Sequence, residues 1–154
     1  MPKIKHIALA TQDVEKTAKF YMDVFGMKEI AKIDSPNASG YYLSDGDLNL
    51  AILDFKNDAV AGVERGKDWS GIHHIGFQVD DIVKTDQALK AAGVQPVPMG
   101  EGYERRAPEP MGPPSDSVNL KYLGPDAVQF DVRQRGWDES IELAMDRYEL
   151  TPAK

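Results

Sequence analysis

A segment near the start of the chain recurs, without a gap, 68 residues later. His6-Ile7-Ala8-Leu9-Ala10-Thr11-Gln12-Asp13-Val14-Glu15-Lys16-Thr17 lies on His74-Ile75-Gly76-Phe77-Gln78-Val79-Asp80-Asp81-Ile82-Val83-Lys84-Thr85. His, Ile, Asp, Lys and Thr return at equivalent places. A repeat of this kind requires two copies of one supersecondary unit packed together. Each copy opens as a strand, with Ile7 and Leu9, then Ile75, Phe77 and Val79, alternating against His6, Ala8, Ala10 and His74, Gly76, Gln78. Asp13 and Asp81 follow at helix N-cap positions, where a carboxylate accepts an orphan backbone N–H. Val14, Ala18, Tyr21 and Phe25 then recur at helical spacing up to Gly26, and Ile82, Leu89 and Ala92 up to Gly93.

Three strand-like pieces follow each helix: Lys28–Ile33, Tyr41–Ser44 and Leu48–Asp54, then Val94–Val97, Val118–Leu123 and Val128–Gln134. Turn chemistry separates them at Pro36-Asn37, Asp45-Gly46 and Gly124-Pro125-Asp126. The expected fold is α+β: paired βαβββ modules forming a cup-shaped mixed sheet, with a C-terminal helix. Module 1 covers about 3–55, a polar connector 56–71, module 2 about 72–134, and the added helix 138–150, with Ile141, Met145 and Tyr148 on one stripe. The Pro- and Gly-rich stretch 99–117 reads as a long loop.

Strand parity assigns faces. Ile7, Leu9, Leu48, Leu50, Ile52, Ile75, Phe77, Val79, Val128, Phe130 and Val132 form the face beneath the helices. The opposite face carries His6, Asn49, His74 and Asp131, which line the cup. His6 pairs with His74 by repeat symmetry. Aligning the fourth strands on their apolar residues pairs Asn49 with Asp131. Two imidazoles, a carboxylate and an amide oxygen converging there would suit one divalent ion of the Fe, Mn, Co, Ni or Zn group. His73 is expected to face away from His74, at the surface or behind the ligands.

Composition narrows the functional classes. The net charge of −7 leaves no basic footprint for nucleic acid. The absence of cysteine removes disulfides and thiolate ligands. No apolar run reaches the roughly 18–20 residues of a membrane span, and Met1-Pro2-Lys3-Ile4-Lys5 lacks a signal-peptide pattern. A soluble, cytoplasmic protein acting on a small molecule is expected, with no nucleic-acid or membrane partner.

The segment Gly71-Ile72-His73-His74-Ile75-Gly76-Phe77-Gln78-Val79-Asp80-Asp81-Ile82 resembles the second-module opening of the vicinal oxygen chelate superfamily, in particular of methylmalonyl-CoA epimerases and glyoxalase I. Phe20-Tyr21-Met22-Asp23-Val24-Phe25-Gly26 is similar to the end of that family's first helix, and Gly124-Pro125-Asp126-Ala127-Val128-Gln129-Phe130-Asp131-Val132 to its closing strand. The resemblance spans about residues 4–134. It implies metal ligands at His6, His74 and Asp131. A fourth or outer-shell ligand is implied at Asn49. Both non-histidine positions are a methylene shorter than the family's usual residues.

The resemblance further implies a metal-dependent isomerase, epimerase or lyase that stabilises an enolate of an oxygen-rich carbonyl compound. Asp131 and Glu104, or Glu101 beside it, are the candidate bases. Tyr103, Arg105, Arg106 and Tyr122 are the candidate substrate-binding residues. An Fe(II) extradiol-type dioxygenase with a facial triad is the alternative, with Tyr122 or Tyr42 moving protons where such enzymes use an extra histidine. An antibiotic-modifying or bleomycin-sequestering protein is a third. A homodimer is expected. Whether the ion sits within one chain or between chains is open, as is whether Trp137 serves the dimer interface or tethers the last helix to its own domain.

Overall fold

The computed structural model describes residues 1–62, 64–97 and 119–149. The elements run β1 (Lys3–Ala10), α1 (Val14–Phe25), β2 (Lys28–Asp34), β3 (Ala38–Ser44), β4 (Asn49–Phe55), α2 (Asp58–Ala61), β5 (Gly71–Gln78), α3 (Ile82–Ala91), β6 (Gln95–Pro96), β7 (Leu120–Leu123), β8 (Gln129–Arg133) and α4 (Trp137–Glu149). Among the described residues, one sheet holds all eight strands in the order β2-β3-β4-β1-β5-β8-β7-β6. β1 runs parallel to β4 and β5 parallel to β8. The halves join where β1 and β5 pair antiparallel. The two βαβββ units therefore meet through their first strands, and the repeated histidine segments lie side by side at the sheet's centre.

Local chemistry sets the element ends. The Asp13 carboxylate accepts the Lys16 amide at 3.0 Å, and Asp81 accepts that of Lys84 at 2.9 Å. Gly26 closes α1 in the left-handed region (φ 69°), where its missing Cβ removes the steric penalty. Ala18 of α1 packs on Tyr41, Leu43, Leu50 and Ile52, with Ile7 and Leu9 against them. Ile82 of α3 packs on Val79, Leu120, Tyr122 and Val132, with Phe77 and Phe130. The apolar face is thus largely where period-two reading puts it; the exception is Val128, which precedes β8 and is 50% exposed.

The inner face is more apolar than parity alone suggests. Ala8, Ala10, Ala51, Leu53 and Phe55 are buried there by Ala61, Val60 and Trp69. The segment expected as a polar connector instead forms α2 and fills module 1's half of the cup. Small alanines on β1 and β4 leave it room. The last helix closes over the same side: Ile141 and Ala144 of α4 bury against Ile30, with Tyr42 and Met145 beside them. Among the described residues, no helix is long and apolar enough to cross a membrane.

Two β-bulges in the β1–β5 pair complete the pattern. The β1–β5 register slips between Ile4 and His6, leaving Lys5 extra, and again opposite Ala8 and Leu9, leaving His73 extra. Lys5 and His73 are themselves repeat equivalents, so the irregularity belongs to the repeat. A bulge interrupts alternation and re-aims side chains. Lys5 is buried, its Nζ ion-paired to Asp47 and, at 2.9 Å, to Asp138 of α4.

Candidate metal centre

His6 and His74 come from the first strand of each half, and Asp131 from the middle of β8. All three are buried, at 5%, 6% and 2% exposure. One donor atom from each lies within 4.8 Å of the others. His6 Nε2 stands 3.2 Å from His74 Nε2, which is 3.3 Å from Asp131 Oδ2. Asn49 Oδ1 accepts from His6 Nδ1 at 2.6 Å. A carbonyl oxygen can only accept, so His6 carries its proton on Nδ1 and turns the lone pair of Nε2 toward His74 and Asp131. Asn49, expected as a fourth or outer-shell ligand, stands behind His6 and orients its ring. The donors all belong to one chain.

The strand register explains why Asn49 is not the partner of Asp131. Asn49 faces His6 across β1–β4, whereas Asp131 faces Gly76 across β5–β8. Gly76 is the repeat equivalent of Ala8, and Ala8 faces Ala51. The equivalent of Asp131 is therefore Ala51, which has no donor. A slip of two residues keeps every side chain on its face, so apolar alignment cannot detect it.

The surroundings favour a cation. Burial lowers the His6 pKa to about 4, helped by His74 and opposed by the Asn49 hydrogen bond. Burial also lowers that of His74, against the pull of Asp131. Burial pushes the Asp131 carboxyl up, but the Lys121 ammonium beside it outweighs this and holds it well below the usual carboxylate range. Lys121 Nζ sits 2.7 Å from Asp131 Oδ1 and Asn119 donates to Oδ2 at 2.8 Å. Two neutral imidazoles and a fixed carboxylate thus converge on one point. Ligands about 2.1 Å from a first-row ion lie roughly 3.0–3.4 Å apart at octahedral to tetrahedral angles, so the observed separations of 3.2 and 3.3 Å fit such an ion.

Other expectations need correction. Tyr122 is fully buried beneath α3, its hydroxyl 2.6 Å from Asp86, because Leu120 and Tyr122 share the helix-facing side of β7 and leave Lys121 on the other. It does not reach the centre. Tyr42 does lie near, its ring 6.5 Å from that of His6. His73 does lie behind the ligands, the second of the two places expected for it, but it is buried and turned toward His74. It is 3% exposed, and its Nδ1 is 2.8 Å from His74 Nδ1. The bulge places both histidines on the inner side. Trp137, at the start of α4, stacks on His6 at 4.9 Å and 6° between planes. It tethers the helix to its own chain. Glu101, Tyr103, Glu104, Arg105 and Arg106 lie outside the described residues. Sequence reading missed Lys121, Asn119 and the covering role of Trp137. Only Lys121 carried a signal, as a lone cation alternating with Leu120 and Tyr122.

Known proteins resemble this chain in sequence and in fold. A probable chloroplastic lactoylglutathione lyase of Arabidopsis thaliana is 27% identical over 140 residues, covering 87% of this chain and 36% of that protein. An ethylmalonyl-CoA/methylmalonyl-CoA epimerase of Cereibacter sphaeroides is 27% identical over 103 residues, covering 64% of this chain and 77% of that one. This chain thus spans about a third of the plant relative's length. A solved methylmalonyl-CoA epimerase, in complex with methylmalonyl-CoA and NH4+, shares the fold with a TM-score of 0.62 at 22% identity, covering 86% of this chain and 94% of its own. The family model described as Glyoxalase/Bleomycin resistance protein/Dioxygenase superfamily matches residues 3–106, and the chain belongs to that superfamily.

Proposed function

We propose that the chain is a divalent-metal-dependent enzyme of the glyoxalase/epimerase type, acting on a small oxygen-rich carbonyl compound by way of an enolate. The observation that carries this reading is the convergence of His6 Nε2, His74 Nε2 and the Asp131 carboxylate in the buried interior. A divalent ion held there supplies Lewis acidity, which favours the oxyanion of an enolised substrate over its neutral carbonyl. The chain's own residues prepare the site. Asn49 keeps the His6 lone pair aimed inward. Lys121 and Asn119 fix the carboxylate of Asp131 through one oxygen each. Trp137 and Tyr42 cover His6, keeping water from its ring. Relatives named as lactoylglutathione lyases and methylmalonyl-CoA epimerases support thioesters as the first substrates to try.

One observation favours a second reading. With Ala51 in place of a fourth donor, the set is two histidines and one carboxylate, the pattern of Fe(II) oxygenases with open positions. Incubation with methylmalonyl-CoA or lactoylglutathione in D2O separates the two. Metal-dependent deuterium uptake at the carbon beside the carbonyl, without oxygen consumption, supports the enolate reading. Iron-dependent oxygen uptake with a catechol, and no exchange, would replace it with the second.

A further inference from the structure

The second bulge places His73 directly behind His74, and its hydrogen bonds run in one direction only. His73 Nε2 lies 2.6 Å from the carbonyl oxygen of Ala61. Ala61 is the last residue of α2, where helix carbonyls lack an intrahelical partner. That oxygen can only accept, so the proton of His73 sits on Nε2. The ring rests on Phe55 at 4.6 Å and is 3% exposed, a setting that disfavours a second proton. Nδ1 of His73 is therefore an acceptor. It stands 2.8 Å from Nδ1 of His74, which must be the donor. A neutral His74 with its proton on Nδ1 has a bare lone pair on Nε2, the atom facing His6 and Asp131.

We infer that His73 is a positioning residue that sets the tautomer of His74, and that the end of α2, through the Ala61 carbonyl, in turn sets His73. The relay runs from the connector between the halves to the metal centre. On the opposite side of that centre, Asn49 does the same for His6 with a single carbonyl. The repeat thus orients its two histidines by different means. Lys5, the repeat equivalent of His73, is engaged with Asp47 and Asp138 and cannot accept a proton from His6. Outer partners of this kind fix ligand orientation and basicity.

This inference rests on the metal-centre reading above, but its test has an arm that needs no metal. Imidazole 15N spectra of labelled, metal-free protein should show His73 protonated on Nε2 and His74 on Nδ1. In His73→Phe the His74 preference for Nδ1–H should disappear, and Zn2+ or Co2+ affinity should fall by about 10–100-fold. His73→Asn, whose amide oxygen falls near the place of Nδ1, should retain both the tautomer and an affinity close to the wild type. Should His73→Phe fail to fold, as judged by circular dichroism, the wild-type and His73→Asn spectra decide. His74 protonated on Nε2 in the wild type, or His73→Phe binding Co2+ as tightly as the wild type, overturns the inference. Wild-type protein that binds neither ion overturns the metal reading instead, and the metal-free tautomers then still decide the role of His73.

Discussion

At the scale of single residues, the centre is defined by where protons cannot be. His6 and His73 each have a pKa lowered to about 4, first by burial, from an ordinary value of 6.5. The unfolded chain therefore binds protons that the folded chain refuses between those values, and stability must rise with pH across that window. Asp131 acts in the same sense lower down, because its carboxylate is held below the usual range and its contribution is lost as acid protonates it. Thermal melts of metal-free protein should show the midpoint falling from pH 7 to pH 4, with the steepest loss below 6.5. A midpoint independent of pH across that window would contradict the buried, neutral imidazoles. Asn49→Ala should weaken Co2+ binding by about 10–100-fold with little change in fold, since it frees the His6 ring without removing a ligand. Isothermal titration would measure this, and unchanged affinity would return Asn49 to the status of a bystander.

At the scale of elements, β5 and α4 meet at one tight point. A Cβ on Gly76 would lie 2.4 Å from Trp137 Cη2 and 2.7 Å from His6 Cβ. Gly76→Ala should therefore cost about 1–3 kcal/mol, the range for overpacking a filled interior, and a urea unfolding series would read it. Trp137→Ala should cost about 3–5 kcal/mol by leaving a cavity over His6. In the wild type, Trp137 emission should respond to Co2+ binding at its stacked neighbour. That response should vanish in Trp137→Phe, which keeps Trp69 as the remaining indole.

These elements also show what the sequence could disclose. Both helix caps, the repeat and the helix-facing residues follow from local patterns with fixed periods. So does the presence of His6, His74 and Asp131 on one face. The pairing of Asn49 with Asp131 failed because a two-residue slip between parallel strands preserves parity. The facing of His73 was misread because a bulge breaks alternation at that residue. The cover provided by Trp137 and the filling of the cup by Ala61 and Trp69 depend on contacts between segments far apart in the chain, which no local period encodes.

At the scale of the whole molecule, one sheet puts both copies of the repeat at its centre, and the consequence is that a single chain brings one histidine from each half to the same point. The cup is then filled unevenly. Module 1's side is occupied by α2 and α4, while Asp131 and Lys121 stand on module 2's side. The asymmetry extends to the donors, with Ala51 where symmetry would require a second carboxylate. The most direct test is elemental analysis of the wild type and of His6→Ala, His74→Ala and Asp131→Ala after dialysis against Zn2+ and Co2+. One ion per wild-type chain, lost in all three variants while their circular dichroism stays native, is the expected result. No stoichiometric ion in the wild type, or an ion that persists when these side chains are gone, would contradict the account.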